Sequence, residues 1–345
     1  MKEKIVFINF WSKGGMRHYS DAIVNILSKK NDVIYLSNYK SDIGSNNKIV
    51  NLSLNPIKIY NYIDLIYIIY FLFKIKPKVV HLNSGYPVLI LIYPIFYFFN
   101  SVITVHDAIS HNGESLIKIF FHKIQLFMFS LFFKKIIVHS NKINSELPFY
   151  VNRNKVFIVP HVNYNHLATG HNDEKNKQIN KRFAVLFFGR ILEYKGLKYL
   201  IEAFDFLDED KYELIIAGEG DIDFKILNKN IKVINKFIPD SDIPFLFNSA
   251  DVVVIPYTEA SQSGVAYLSF AYIKPIIATS VGSLGDIVID GENGYVVKPR
   301  SSKDICLAIQ RINNPLIYNK FINNIKEKTL SSDLEIVNKL INIYK

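Results

Sequence analysis

The sequence predicts an α/β protein built from two Rossmann-like, doubly wound domains that face each other across a cleft. Its 345 residues exceed what one small core needs and suffice for two domains. Short apolar runs rich in β-branched residues alternate with helical patterns, as in parallel sheets with crossover helices. One almost wholly polar segment, residues 163–181, separates two such series. In folds of this class, ligands lie at the carboxyl ends of the strands.

The first series opens with a strand at residues 4–10, a Gly-Gly turn and a helix at residues 19–28. No small-residue cleavage site follows the short apolar run, so we interpret it as a buried strand and not as a signal peptide. The further strands of this series are predicted at residues 32–36, 79–82, 101–105, 135–138 and 155–159.

The second series begins with a strand at residues 183–188, a loop at 189–196 and a helix at 197–207. The further strands are predicted at residues 212–217, 231–234, 251–255, 275–278 and 295–297, and the further helices at 242–249, 265–272, 302–313 and 316–344. The expected organisation is an N-terminal domain over residues 1–165, a linker over 166–182, a C-terminal domain over 183–325 and a final helix over 326–345 that packs back on the N-terminal domain.

The composition excludes several classes of protein. Hydrophobic residues make up 49% of the chain and charged residues 21%, which suits a folded core and argues against disorder. The single cysteine, Cys306, excludes a disulfide framework and a cysteine-rich metal site, and it favours a reducing, cytosolic compartment. The apolar stretches at residues 88–99 and 119–133 fall short of the roughly 20 clean apolar residues of a membrane-spanning helix.

The positive charge is concentrated in the N-terminal half. Residues 1–165 hold 19 lysines and arginines against 8 acidic residues, whereas the remainder holds 22 against 23. In residues 116–135 the basic side chains are interleaved with aromatic and aliphatic ones, which favours contact with an anionic membrane surface over nucleic acid. A buried helix with a solvated basic edge explains the same pattern equally well.

Two segments carry the signals for chemistry. In Phe187-Phe-Gly-Arg-Ile-Leu-Glu-Tyr-Lys-Gly196, a strand ends at Gly189, and Arg190 and Lys195 precede a helix, so two cations beside a helix N-terminus make a site for a diphosphate. Taken alone, this segment also fits the alternative in which Arg190 and Lys195 are solvated surface charges. In Pro256-Tyr-Thr-Glu-Ala-Ser-Gln-Ser-Gly-Val265, Glu259 can accept sugar hydroxyls and the following backbone amides can hold phosphate oxygens. An ordinary N-capping turn is the alternative for this segment.

In order along the chain, these segments resemble the C-terminal domain of the retaining glycosyltransferases of family 4, which have the GT-B fold. The loop from Phe188 to Leu197 is similar to the family's Gly-Arg-x₄-Lys-Gly loop, and Leu214-Ile-Ile-Ala-Gly-Glu-Gly220 to its strand ending in Gly-x-Gly. The segment beginning at Phe237 is similar to the family's region near the nucleotide base. The segment beginning at Lys274-Pro275 is similar to the C-terminal part of the family pattern. The resemblance covers residues 183–299 strongly and the N-terminal half weakly.

The resemblance implies roles for matching positions. Arg190 and Lys195 would neutralise the leaving diphosphate, and Glu259, the first Glu of the family's Glu-x₇-Glu motif, would touch the transferred sugar. The implied donor-binding residues are Gly15, Gly189, Gly218, Ile238, Gln262, Ser263, Gly264 and Val265. The second Glu, which normally holds the nucleotide ribose, is absent: Tyr267 stands eight residues after Glu259, and alignment on Lys274 puts Leu268 there instead. The Ser-Gln-Ser-Gly variant resembles a branch of the family that also lacks it.

Weaker matches lie in the N-terminal half. Gly14-Gly-Met-Arg-His-Tyr19 resembles the family's glycine loop, and Thr104-Val-His-Asp107 resembles a Thr-x-His-Asp segment. The resemblance implies that His106 lies at the cleft and touches the donor sugar or the reacting centre, although a histidine after a strand also serves as a structural donor. Three further histidines near strands, His81, His139 and His161, are interpreted as lining or structural residues. Neither a metal nor another cofactor is expected.

The resemblance implies transfer of a hexosyl unit from a nucleoside diphosphate sugar, with retention of configuration, to a glycan or lipid-linked acceptor. Bacterial surface polysaccharide assembly, such as that of lipopolysaccharide or capsule, is the expected setting, with the protein cytoplasmic and peripheral on the inner face of the plasma membrane. The alternatives are a sugar-nucleotide epimerase of the same fold and a non-catalytic sugar-nucleotide-binding partner. A basic nucleic-acid-binding protein is disfavoured, because no recognition motif supports it.

Overall fold

The structure is a computed structural model that describes residues 4–39, 48–52, 61–109, 115–168, 182–222, 226–259 and 263–345. The chain divides into two compact units. The first unit consists of Met1–Val162 and Asp333–Lys345, and the second of Asn163–Ser332. Each unit has one sheet in which neighbouring strands are parallel.

The sheet of the first unit has the strand order β3-β2-β1-β4-β5-β6-β7. Its strands are β1 (Lys4–Asn9), β2 (Asp32–Ser37), β3 (Lys48–Asn51), β4 (Val79–Asn83), β5 (Ser101–Thr104), β6 (Lys135–Val138) and β7 (Val156–Ile158). The direction of winding reverses between β1 and β4, so the carboxyl ends of these strands form the crevice where ligands of such sheets bind.

Helices cover this sheet. They are α1 (Gly15–Ser28), α2 (Asn61–Ile75), α3 (Leu116–Phe132) and α4 (Asn141–Glu146), together with 3₁₀ turns at Pro87–Phe98 and Arg153–Lys155. Within the first core, apolar residues of α2, Pro87–Phe98 and α3 pack on alternate strand residues such as Val6, Ile8 and Val80. These three segments therefore form one layer over one face of the sheet.

The second unit has a six-stranded sheet with the order β10-β9-β8-β11-β12-β13. Its strands are β8 (Phe183–Phe188), β9 (Tyr212–Ala217), β10 (Ile231–Ile234), β11 (Val252–Ile255), β12 (Ile276–Thr279) and β13 (Gly294–Val297). Its helices are α5 (Asn165–Ala168), α6 (Leu197–Phe204), α7 (Ile243–Ser249), α8 (Gly264–Ala271), α9 (Leu284–Ile287) and α10 (Ser302–Ile312), followed by α11 (Pro315–Tyr344), with short 3₁₀ turns at Glu193–Lys195 and Asp240–Asp242. The winding reverses between β8 and β11.

The predicted fold class is confirmed, and most predicted strands occur within one or two residues of their expected bounds. The strand β3 was not predicted, because its four residues Lys-Ile-Val-Asn hold only two apolar side chains and lie at the sheet edge. The helix α1 begins at Gly15 and not at residue 19, since Gly14 precedes it with φ 67°. The apolar run at Pro87–Phe98 forms 3₁₀ turns around Pro94, which lacks the N–H that an α-helix needs there.

The end of α11 contacts the first sheet. The Tyr344 hydroxyl lies 2.6 Å from His81 Nδ1, and Asn100 Nδ2 donates to the Tyr344 carbonyl over 2.9 Å. The predicted linker, residues 166–182, lies outside the described residues over 169–181. In the described parts of the chain, no helix combines the length and the apolar character needed to cross a membrane.

Candidate functional site

The loop after β8 forms the first part of the candidate site in the second unit. Gly189 follows the strand with φ 106°, and its amide donates to the Ala217 carbonyl over 2.9 Å. Gly218 follows β9, and a Cβ atom there would lie 2.0 Å from the Gly189 carbonyl oxygen. The close approach of these two backbones therefore requires glycine at position 218.

The same loop is held against the loop that follows β11. Glu193–Lys195 forms one 3₁₀ turn, and Gly196 ends it in the left-handed conformation at the start of α6. A Cβ atom on Gly196 would lie 2.0 Å from the Pro256 carbonyl oxygen. The Thr258 amide also donates to the Tyr194 carbonyl over 2.7 Å. Both loops therefore have fixed positions at the carboxyl edge of the sheet.

Lys195 is the buried cation of this edge. Its side chain is 9% exposed, and its Nζ lies 5.1 Å from the ring centroid of Tyr257. Nζ is also 3.0 Å from the point where a Cβ on Gly189 would lie, and Val265 Cγ2 is 3.7 Å from the same point. None of the ion pairs among the described residues involves this ammonium. In that part of the chain it lies over an aromatic face, and a buried cation in such surroundings favours an anionic ligand.

The N-terminus of α8 adds backbone donors. Ser263 precedes the helix, but its hydroxyl donates to the Tyr257 hydroxyl over 3.4 Å and does not cap the helix. The Gly264 and Val265 amides therefore begin the helix without a side-chain cap from Ser263. Uncapped amides and the helix dipole attract phosphate oxygens. The structure brings Gly189, Lys195 and Val265 together at this edge of the sheet.

The remaining predicted residues of this unit have different surroundings. Arg190 and Glu259 are exposed, and Ile238 is buried in the loop before α7. Gln262 lies outside the described residues. Tyr267 is partly exposed on α8, whereas Leu268 faces the core. A carboxylate at the Leu268 position would therefore be buried.

Histidines form the corresponding edge of the first unit. His81 lies within β4, and His106, His139 and His161 follow β5, β6 and β7. Because these four strands are parallel neighbours, their carboxyl ends bring the side chains together. The buried ring of Tyr19 on α1 packs edge-on against three of them, with ring centroids 4.8 to 5.1 Å apart.

Hydrogen bonds join these rings to the sheet. His106 Nε2 lies 2.8 Å from Asn83 Oδ1, and His106 Nδ1 lies 3.2 Å from His139 Nε2. His139 Nδ1 is 3.0 Å from the Val159 carbonyl oxygen. Both ring nitrogens of His106 therefore face protein atoms, so contact with a sugar would require one of these bonds to open.

Burial sets the charge of the cluster. It lowers the pKa of His139 to about 4 and that of His81 to about 3. Burial, followed by the neighbouring histidines, lowers the pKa of His106 and of His161 well below the ordinary value. These rings are therefore neutral at pH 7. In the described residues, no three His, Cys, Asp or Glu side chains converge as metal ligands.

Sequence reasoning missed three residues of these edges: Tyr257, Tyr19 and Asn83. Tyr257 stands directly after Pro256 at the end of β11, and Asn83 is the last residue of β4, so position at a strand end was the available signal. Tyr19 carried no such signal. The predicted Gly15 is the first residue of α1 and directly follows the loop after β1.

Comparison with known proteins finds similarity to glycosyltransferases in part of the chain. Residues 170–328 match the family model described as glycosyl transferases group 1. The chain is 28% identical over 153 residues to the capsular polysaccharide biosynthesis glycosyltransferase CapM of Staphylococcus aureus, covering 41% of this chain and 40% of that protein. It is 29% identical over 172 residues to an uncharacterised glycosyltransferase of Methanocaldococcus jannaschii, covering 47% of this chain and 44% of that protein. The matched segments thus span less than half the length of these relatives.

Solved structures extend the similarity of fold to the whole chain. A glycosyltransferase from Rickettsia africae superposes with a TM-score of 0.71 at 18% identity, covering 100% of this chain and 98% of that one. Anabaena HepE in complex with UDP-glucose superposes with a TM-score of 0.75 at 15% identity, covering 98% of both chains. The molecule therefore has the GT-B fold, and the match to the glycosyl transferases group 1 model lies in residues 170–328.

Proposed function

We propose that this protein is a retaining glycosyltransferase that moves a hexosyl unit from a nucleoside diphosphate sugar to a glycan or lipid-linked acceptor. The observation that carries the proposal is the buried Lys195 ammonium, which lies against Gly189 near the start of α8 and has no carboxylate partner among the described residues. Charge develops on the departing diphosphate during such a transfer, and a preorganised cation with helix amides stabilises it. The glycosyl transferases group 1 domain supports the same conclusion.

The other residues would take supporting roles. Arg190, which is exposed beside Gly189, would bind the outer phosphate group of the diphosphate. Glu259, on the loop after β11, would accept hydrogen bonds from hydroxyl groups of the sugar. The Gly264 and Val265 amides would hold phosphate oxygens. We propose a front-face route, which the resemblance to the retaining glycosyltransferases of family 4 implies, in which the leaving phosphate helps to deprotonate the acceptor.

Lys195→Ala tests the central role. We expect kcat/KM to fall by more than about tenfold, equivalent to at least about 1.4 kcal/mol of barrier. Lys198→Ala is the matched control, because the Lys198 ammonium also lies over a tyrosine ring, at 5.0 Å from Tyr199, but the side chain is exposed on α6. A loss below tenfold for Lys195→Ala, or equal losses for both variants, contradicts the proposed role.

A thermal-shift panel of nucleoside diphosphate sugars would identify the donor. UDP-glucose is the first compound to try, since HepE was solved with it. A ligand at about 100 times its Kd stabilises the fold by about 2.7 kcal/mol, so the donor should stand out from the rest of the panel. A compound that stabilises the protein without any transfer or epimerisation would favour the non-catalytic alternative, for which the missing second Glu is the best support.

For the acceptor side we propose attachment to an anionic membrane surface. The layer of α2, Pro87–Phe98 and α3 exposes large apolar side chains on its outer side. They are Ile63, Ile66, Tyr67, Tyr70, Phe73, Leu91, Tyr97, Phe98, Leu116, Ile117, Phe120, Phe121, Phe127 and Leu131. Exposed lysines, including Lys74, Lys118 and Lys123, lie on the same helices. Apolar and basic groups on one surface fit the interface of an anionic bilayer, where a lipid-linked acceptor and the inner face of the plasma membrane would be found.

A further inference from the structure

A row of hydrogen-bonding atoms crosses the carboxyl edge of the first sheet. It runs from the Val159 carbonyl oxygen to His139 Nδ1 over 3.0 Å, from His139 Nε2 to His106 Nδ1 over 3.2 Å, and from His106 Nε2 to Asn83 Oδ1 over 2.8 Å. Both ends of the row are oxygens that accept hydrogen bonds and carry no hydrogen of their own. Every hydrogen in the row must therefore come from the two imidazole rings.

The two imidazole rings cannot supply a hydrogen for every contact in the row. Three hydrogen bonds need three N–H groups, but two neutral imidazoles supply only two. At one of the three contacts two hydrogen-bond acceptors must then face each other with no hydrogen between them, unless a proton is added or one partner changes orientation. The position of the contact that lacks a hydrogen determines which nitrogen of His106 carries its hydrogen.

The two ends differ in their freedom to adapt. The Val159 carbonyl belongs to the backbone just after β7 and cannot turn. The Asn83 amide can turn, because its oxygen and nitrogen are nearly the same size. Its Nδ2 now donates to Ser20 Oγ and, over 3.3 Å, to the Met16 carbonyl. The Ser20 hydroxyl donates to the same Met16 carbonyl over 2.9 Å. After turning, the amide N–H would donate to His106 Nε2, and the Ser20 hydroxyl would rotate from the Met16 carbonyl to donate to the amide oxygen.

We propose that His139 is a positioning residue that fixes the tautomer of His106. The Val159 carbonyl holds the His139 hydrogen on Nδ1, which leaves His139 Nε2 as an acceptor. For the contact between His139 Nε2 and His106 Nδ1 to be a hydrogen bond, His106 carries its hydrogen on Nδ1, and its Nε2 becomes an acceptor at the sheet edge. The Asn83 amide N–H then donates a hydrogen bond to His106 Nε2.

The groups around the pair are consistent with two neutral rings. Tyr19 of α1 covers both rings edge-on, and His161 lies with its ring centroid 5.0 Å from that of His139. His81 of β4 contributes a further neutral ring, and Asp107 is the nearby acidic group, which favours the charged form of His139. Burial outweighs Asp107, so the pKa of His139 remains below its ordinary value.

The tautomer decides what His106 can offer a ligand. A bare Nε2 accepts a hydrogen bond from a hydroxyl group, whereas an Nε2–H would only donate one. On the proposed function, on which this step rests, a sugar hydroxyl could replace the Asn83 amide at this nitrogen without breaking the bond to His139. The choice of tautomer by His139 would thus make His106 selective for a hydroxyl donor.

Nitrogen-15 NMR of the histidine-labelled protein tests the tautomer without any substrate. Each ring nitrogen is classed as bare or hydrogen-bearing, and His106→Asn and His139→Asn assign the signals. At neutral pH we expect His106 to carry hydrogen on Nδ1 only and His139 on Nδ1 only. A hydrogen on His106 Nε2 of the wild type, alone or together with one on Nδ1, overturns the proposal.

Substitution then tests the positioning role. His139→Phe keeps a planar ring but removes both nitrogens, so the His106 hydrogen should move to Nε2, and kcat for transfer should fall by about tenfold or more with a smaller change in KM. His161→Phe is the matched control: His161 is equally buried and also packs on Tyr19, but its Nδ1 is directed to the Val162 carbonyl. An unchanged His106 tautomer in His139→Phe, or equal effects of both variants, overturns the role. If the wild type shows no transfer at all, the proposed function fails, whereas the NMR result still decides the tautomer.

Discussion

Single residues of the candidate site differ in how far the sequence could predict them. Gly189 and Gly218 directly follow strands and Lys195 precedes α6 in a recognisable pattern, and the structure places Lys195 Nζ near Gly189. The burial of Lys195 could not be predicted, because it depends on Tyr257 of the loop after β11, which is distant in the sequence. Lys195 is buried whereas Arg190 is exposed, so the alternative of a solvated surface charge is removed for Lys195 alone.

Gly196→Ala tests the junction between the two loops. Gly196 has φ 64°, and a methyl group there would lie 2.0 Å from the Pro256 carbonyl oxygen, a backbone atom that cannot move alone. Gly291 has φ 73° with open space around its Cβ position. The left-handed conformation alone costs an alanine about 1 to 2 kcal/mol. We therefore expect Gly291→Ala to lose about that much, and Gly196→Ala at least about 2 kcal/mol more.

Urea unfolding followed by far-UV circular dichroism measures both variants, with the transition of the second unit fitted separately. Equal losses in the two variants would show that the loop after β11 relaxes away from position 196, and would contradict a fixed junction.

At the level of helices and strands, local pattern predicted most of the fold. Buried parallel strands appear as short continuous apolar runs, so β8, β9 and β10 were predicted at their observed bounds. The edge strand β3 and the 3₁₀ turns at Pro87–Phe98 were missed, because neither has the periodicity of a regular buried element. The histidine cluster was missed as a cluster, since its residues come from four strands whose spatial order the sequence does not state.

The carboxyl edge of the first sheet should be sensitive to acid. In the folded state the pKa is about 4 for His139 and about 3 for His81, against 6.5 for an ordinary histidine. The unfolded chain therefore binds more protons at acidic pH. The stabilising contribution of neutral rings is complete above about pH 6.5 and is lost as the pH falls toward about 4 and then about 3.

Trp11 reports this loss directly. It is the one tryptophan of the chain, it lies in the first unit, and its indole N–H donates to the Gly85 carbonyl over 2.9 Å. The urea midpoint of Trp11 fluorescence should fall between about pH 6.5 and about pH 4. His81→Gln should reduce the slope of that fall, because one buried titrating ring is removed. A midpoint that stays constant across this range would contradict the neutral, buried cluster.

For the whole molecule, composition predicted that the two halves differ in charge, but not how the exposed side chains of the N-terminal half are arranged. The formal charge is +11 in the N-terminal half (19 − 8) and −1 in the remainder (22 − 23), and the sequence of the N-terminal half fits a membrane surface and a solvated helix edge equally well. The structure shows the outer side of the layer over the first sheet with its apolar side chains exposed. A solvated helix edge would expose mainly charged groups, so this arrangement supports the membrane interpretation.

Vesicle binding by the whole protein is the corresponding test. The triple change Leu116→Ser, Ile117→Ser and Phe120→Ser removes side chains that are 83%, 69% and 62% exposed on the layer. Since each apolar side chain of this size contributes about 1.5 to 3 kcal/mol when fully buried, partial insertion of three should contribute more than about 1.4 kcal/mol, or tenfold in affinity. Co-sedimentation with phosphatidylglycerol-containing vesicles measures this loss.

The matched control is the triple change Leu316→Ser, Phe206→Ser and Phe245→Ser in the second unit, where the exposures are 83%, 67% and 67%. It removes the same kinds of side chain at nearly the same exposure, and it should leave vesicle binding unchanged. Binding of the wild type should also weaken at high salt and on pure phosphatidylcholine, because the exposed lysines of α2 and α3 lose their anionic partners. If both triple variants bind like the wild type, the layer does not dock on a bilayer. If both lose binding equally, apolar exposure in general and not this surface is responsible.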